Sequence, residues 1–319
     1  KNNKEGATNA IAKAENATSG VITTTGVKSV GMSGEVAALA NFGTINVNGQ
    51  EGTGIFAKSS SLMENHGTIN IVSSTSADKP NVGMFTEDQN TLIFNHKDIL
   101  GGNNTYGIYG KTIKMTGGKI SVGENSVGIF SNGEYTALGT DGVDLASGSE
   151  IEVGENESVG VFTTGKNQNI SSKATMKIGD GSYGFVIKGT GTKLTTESPE
   201  VTVGNNTVFT YSTDTTGNII NKTKLTSTGS KNYGIYGAGT ITNLADINFA
   251  SGTGNVGIYS IGGGTAINGN STEKPIIRVS GSDVENKNYG IGMAAGYTDD
   301  KGVTHQTGTV ENYGTIKVE

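Results

Sequence analysis

Three histidines (His66, His96 and His305), one arginine (Arg278) and acids scattered through polar stretches are the side chains of this 319-residue chain best suited to chemistry. Catalysis and metal binding need such groups in clusters. Cysteine is absent and no histidine has a second His or Cys at a metal-ligand spacing, so the sequence predicts no metal site. Asp299-Asp300, with Asp141 and Asp144, would hold calcium only weakly, and solvated loops account for them. Two glycine patterns resemble nucleotide-binding loops. Gly252-Thr-Gly254-Asn-Val-Gly257 has the dinucleotide spacing, as does Gly52-Thr-Gly54-Ile-Phe-Ala57, but neither stands between a strand and a helix. Gly110-Lys111-Thr112 ends like a phosphate-binding loop, yet position 105, where that motif requires glycine, is threonine. No cofactor is predicted.

What would position such groups is a repeat. The phrase Asn232-Tyr233-Gly234-Ile235-Tyr236-Gly237 has a near-copy at Thr105-Tyr106-Gly107-Ile108-Tyr109-Gly110. Further copies read Ser126-Val127-Gly128-Ile129-Phe130, Ser158-Val159-Gly160-Val161-Phe162 and Asn255-Val256-Gly257-Ile258-Tyr259. The phrase glycines stand at 31, 54, 83, 107, 128, 160, 184, 234, 257 and 290, with Phe209 replacing one of them. Most gaps lie near 24 residues, the mark of a solenoid, and the stretched gaps hold insertions.

A second phrase lies between copies of the first: Asn41-Phe42-Gly43-Thr44-Ile45-Asn46-Val47, then Asn65 to Ile71, Asn243 to Phe249 and Asn312 to Val318. A short third segment precedes it, as in Lys111 to Met115. Three period-two segments per unit, bounded by Gly, Asn or Ser, predict an all-β right-handed parallel β-helix of about three strands per coil and roughly 11–12 coils; the handedness follows from the class. Alternation predicts that Ile45 and Val47 face inward. It also places Val127 with Ile129, and Tyr233 with Ile235, on the inner face. The aromatic that follows forms a stacked ladder whose side alternation leaves open. The repeated asparagines stand where the chain bends, and stacked Asn side chains can hydrogen-bond in ladders.

Composition agrees. Glycine is abundant (51 residues), but only three prolines and no three-residue period exclude collagen. A net charge of −6 argues against nucleic acid as a partner. No apolar run is long enough for a membrane helix, and none reads as a signal peptide. The ends predict a piece of a longer single-chain rod, and lack of cysteine suits export.

Residues 1–25 read as an irregular first coil or the continuation of an upstream coil, and 26–319 as the β-helix, with insertions near 73–81, 132–147, 261–287 and 297–306. Loops on a rigid scaffold are where binding usually resides. The candidate partner-binding residues are therefore Asp141, Asp144, Asp283, Tyr297, Asp299, Asp300, Lys301 and His305. Glycan-degrading enzymes also use this class of fold. Hydrolases need paired carboxylates at a set separation, and lyases pair calcium-binding acids with a basic residue. Here the acids are dispersed and Arg278 lies in the strand-like Ile276-Ile277-Arg278-Val279, so no enzyme is predicted.

The Asn-Tyr-Gly-Ile-Tyr-Gly and Ser-Val-Gly-Ile-Phe copies, with Asn-x-Gly-Thr-Ile-Asn-Val between them, resemble the passenger repeats of large fusobacterial type V autotransporter adhesins over about 26–319. The family includes arginine-inhibitable coaggregation and galactose-sensitive host-cell adhesins. The resemblance implies a cell-surface passenger-domain segment, anchored to the outer membrane through a C-terminal β-barrel outside this segment. It implies attachment to a bacterial or host-cell receptor, protein or glycan, in coaggregation, biofilms and virulence. The matched positions are scaffold, so the resemblance assigns no binding residue. The alternative is a spacer stalk that carries a binding tip elsewhere in the parent protein.

Overall fold

The computed structural model describes residues 11–136, 142–298, 301–305 and 308–319. The chain is a right-handed parallel β-helix of three sheets with 12, 12 and 11 strands. Each coil contributes one strand to each sheet in turn, so every strand pairs with the equivalent strand of the coils before and after it. In the first sheet Ala37–Asn41 is followed by Leu62–Asn65 and Leu92–Asn95. In the second, Thr44–Val47 is followed by Thr68–Ile71, and in the third Thr105–Gly110 by Val127–Ser131. Stacking twelve strands at about 4.8 Å gives a rod of roughly 55 Å.

The sequence dictates this stacking through the register of like residues. Ile45 pairs with Ile69, Asn46 with Asn70 and Val47 with Ile71. Leu39, Met63, Ile93, Ile113, Val143, Ile170 and Leu194 form one inward column of the first sheet, each 2 % exposed or less. Such cross-strand aliphatic pairs add roughly 0.2–1 kcal/mol each beyond Ala–Ala. A coil gains this burial only from its neighbours. In the last second-sheet strand, Thr315–Val318, Ile316 and Val318 are 36 % and 54 % exposed, whereas Ile277 and Val279 one coil earlier are sealed.

Two side-chain ladders close the corners. At the end of each first-sheet strand, Asn16 donates its Nδ2 to Oδ1 of Asn41, Asn41 to Asn65, and Asn65 to Asn95, all at 2.8 Å and buried. A second run joins Asn221, Asn243, Asn268 and Asn312 at 2.7–2.8 Å, with Thr196 donating into its first member. Between them the position holds Met115 and Leu145, which share the apolar core, and then Ser172 and Thr196. At the start of several third-sheet strands, a backbone N–H donates to the side-chain oxygen one coil on: Thr105 to Ser126, Ser158 to Ser182, and Asn232 to Asn255.

The phrase glycine corrects the predicted alternation. In every third-sheet pair the residues on either side of the glycine are in register, and the glycine itself is skipped. A Cβ on Gly128 would lie 2.7 Å from the Gly160 carbonyl oxygen and 3.2 Å from Ile151 Cγ2. The glycine therefore faces the core beside Ile129, and the local kink turns Val127 to the outside. Val127, Val159 and Val186 form a separate cluster with Tyr106, Phe130, Phe162, Tyr183 and Tyr211 on the outer face. Val127 and Tyr233 thus do not share the inward face of Ile129 and Ile235, as simple alternation implied. The final copy is also shifted: Val256 pairs with Ile291 and Ile258 with Met293, so its glycine is Gly292 and not Gly290. In the copy that lacks glycine, Phe209 enters the core and packs edge-on to Phe185 at 5.5 Å, while small Thr210 takes the place of the usual Ile.

Candidate binding surface

The register of the third sheet lines up one aromatic per coil on the exterior. Phe56, Phe85, Tyr109, Phe130 and Phe162 are successive partners, followed by Val186, Tyr211, Tyr236 and Tyr259. Tyr109 and Phe130 stack at 4.7 Å and 22°, and Tyr211 and Tyr236 at 5.6 Å and 7°. The column covers eight coil steps, about 38 Å. Its rings are half-buried. Burial pushes the Tyr106 and Tyr109 phenols above their ordinary pKa. Lys58 sits over the Phe56 ring at 5.7 Å and Lys188 over Phe162 at 5.5 Å, geometries that support cation–π attraction.

The column is interrupted once. Val186 takes the aromatic position between Phe162 and Tyr211. Beside it lies a recess of about 410 Å³, lined by those rings with Tyr183, Glu157 and Lys188. An apolar floor with one acid and one base at its rim can hold a flat, partly polar group.

The loop residues expected to bind are dispersed. Asp144 lies on the strand Gly142–Leu145, so the 132–147 stretch is only partly an insertion. Its side chain is exposed, in register between Lys114 and Ser171. Asp283 is in a turn at the far end, about five coil steps or roughly 24 Å along the axis. There its backbone exchanges hydrogen bonds with Asn288, and its Oδ2 accepts from Asn286 Nδ2 at 2.7 Å. The Asn286 side chain, followed by its backbone N–H, lowers the Asp283 pKa. Tyr297 and His305 are backbone partners in a two-stranded antiparallel hairpin, and exposed Lys301 lies in its turn. Asp141, Asp299 and Asp300 lie outside the described residues. Most of the long 261–287 stretch is ordinary coil: Thr265–Asn268 and Ile276–Val279 belong to the first two sheets. Arg278 points outward in register with Asn248 and Lys317. The glycine motifs are repeat corners. Gly252 and Gly254 have φ of 74° and 69° and lead into the strand Val256–Ser260.

One constellation was invisible to a search by spacing. His66 and His96, thirty residues apart, stand on adjacent coils with ring centroids 4.2 Å apart. The signal was present, because each follows a ladder asparagine, Asn65 or Asn95. Reading it required the pairing register.

Residues 7–98 match the family described as the BigA third pectate lyase-like domain. The match covers under a third of the chain and is a likeness of its first coils to a β-helical domain. No curated protein and no solved structure matches the chain. Among the described residues no helix is long and apolar enough to cross a membrane.

Proposed function

We propose that this chain is a surface-displayed adhesin segment of a secreted autotransporter, attaching its parent to other bacteria or host cells. The observation that carries this reading is the exterior aromatic column from Phe56 to Tyr259. Contiguous apolar strips on an otherwise polar surface mark contact sites, and Tyr and Phe are enriched where proteins meet partners. The column replaces the dispersed loops as the first surface to test, with a protein or glycan receptor as its partner. The test is binding of the labelled segment to a panel of bacteria and host cells, with free arginine and galactose as competitors. Saturable binding lost in Tyr211→Ser/Tyr236→Ser supports the reading. Folded segment that binds nothing, while its parent binds, assigns it the role of a spacer stalk.

The family match favours a second reading, cleavage of an acidic polysaccharide by β-elimination. Arg278, Lys224 and Asp246 line a recess of about 160 Å³ on the outer face of the second sheet and would be its functional groups, although they lie outside the matched residues. Release of unsaturated uronate from polygalacturonate, abolished in Arg278→Gln, would support it. No release would leave the adhesin reading.

A further inference from the structure

The first-sheet corner of three neighbouring coils carries a second stack. Phe42 lies 4.7 Å from His66 at 6°, and His66 lies 4.2 Å from His96 at 7°. The ladder that joins Asn65 to Asn95 fixes this register, since each histidine is the next residue in the chain. Glu64 adds a carboxylate from the outer face of the strand Leu62–Asn65, in register with Phe94. One donor atom from each of Glu64, His66 and His96 lies within 4.8 Å of the others. The two histidine nitrogens at position 96 differ: Nδ1 is hydrogen-bonded to Thr116 Oγ1, whereas Nε2 is buried without a partner. The hydrogen bond at Nδ1 leaves Nε2 as the nitrogen open to an ion, the arrangement found in the outer shell of metal sites.

We infer that Glu64, His66 and His96 form a site for one divalent transition-metal ion of the zinc type, bridging two coils. Two imidazole nitrogens and a carboxylate oxygen suit Zn²⁺, Ni²⁺ or Cu²⁺ and not Ca²⁺ or Mg²⁺, which prefer all-oxygen shells. With metal–ligand bonds of about 2.0–2.2 Å, donors around one ion stand roughly 3.3 Å apart. The three groups must therefore close by up to about 1.5 Å. Side-chain rotation supplies this, because all three stand on the outer surface of the rod. Closing them breaks the parallel ring stack, so the ion and the stack are alternative states of the corner. The fourth, open position on the ion goes to water, which predicts modest affinity and an ion open to a further ligand. An ion here would also clip adjacent coils together.

The test is titration of the untagged, purified chain with zinc at neutral pH by calorimetry, with cobalt absorption as a second readout. The expected result is one ion per chain, a visible cobalt band and a raised melting temperature. His66→Phe is the decisive variant. Phe42 already occupies this column, so phenylalanine preserves the stack and the fold, shown by an unchanged melting temperature in chelator. It should weaken zinc binding at least tenfold, as should Glu64→Gln. No saturable binding by the native chain would overturn the inference. Equal binding by the native chain and both variants would also overturn it.

Discussion

Asn65 donates its Nδ2 to Oδ1 of Asn95 across 2.8 Å, although thirty residues separate them and both are sealed from solvent. Each inner member of this ladder both donates and accepts. Replacing Asn41 with leucine strips Asn65 of its donor and Asn16 of its acceptor, and is expected to cost about 2–4 kcal/mol, since each orphaned buried group costs about 1–3 kcal/mol. Replacing Asn95 with leucine deprives one buried side chain, Asn65, because the other partner it loses is the carbonyl of exposed Lys97, which water can serve, and the next coil already carries Met115 at this position. It should cost about half as much. Denaturant midpoints of the two variants check the order.

The phrase glycine should resist even a methyl group. Gly128→Ala drives a Cβ against the Gly160 carbonyl and Ile151. It is expected to destabilise by about 1–3 kcal/mol through overpacking. Gly26→Ala is the control: its Cβ meets nothing nearer than 3.8 Å, and the change should stay within about 0.5 kcal/mol. Thermal unfolding separates the two.

Filling the gap at Val186 should lengthen the aromatic column. Val186→Tyr would stack on Phe162 and Tyr211, its register partners, with the adjoining recess available for the larger ring. Each new pair is worth about 0.5–1.5 kcal/mol. A rise in the denaturation midpoint is expected. If the recess holds the receptor, cell binding should fall in the same variant.

Acid should loosen the middle of the rod first. On the outer face of the second sheet, Glu150 lies 2.9 Å from Lys177 and 3.5 Å from Lys119, while Glu152 bonds Lys119. The hydrogen bond from Lys177 is the main cause that lowers the Glu150 pKa, opposed by desolvation and helped by Lys119. A lowered carboxylate pKa contributes stability above the ordinary glutamate value of about 4.5, and that stability is lost as pH falls through the lowered value. The groups are partly exposed, so each pair contributes only about 0.2–1 kcal/mol and is screened by salt. Lys177→Met should flatten the pH dependence of stability below about pH 4.5, measured by hydrogen exchange of the central coils.

Much of the architecture is legible in the sequence. Ile45, Ile69 and Ile247 recur with Asn41, Asn65 and Asn243 at fixed offsets, and a β-helix turns equal offsets into contacts. The insertions were harder to read. The polar stretch 261–287 holds two ordinary strands: Ile276–Val279 was readable as strand-like, whereas Thr265–Asn268 has only Ala266 and Ile267 as apolar residues and gives almost no period-two signal. The last glycine was assigned two residues early, since Gly290 and Gly292 both fit the phrase and only pairing with Gly257 and its neighbours separates them.

By itself the sequence determined the repeat, the three strands per coil and the inward aliphatic columns, because side-chain period and coil length are local properties of the chain. Tertiary structure alone decided which face Val127 and Phe130 occupy, because the kink at Gly128 breaks the two-residue alternation. It also decided that His66, His96 and Glu64 meet. Their contact depends on how many residues the intervening coil loops out before the register resumes, and no local pattern encodes that number.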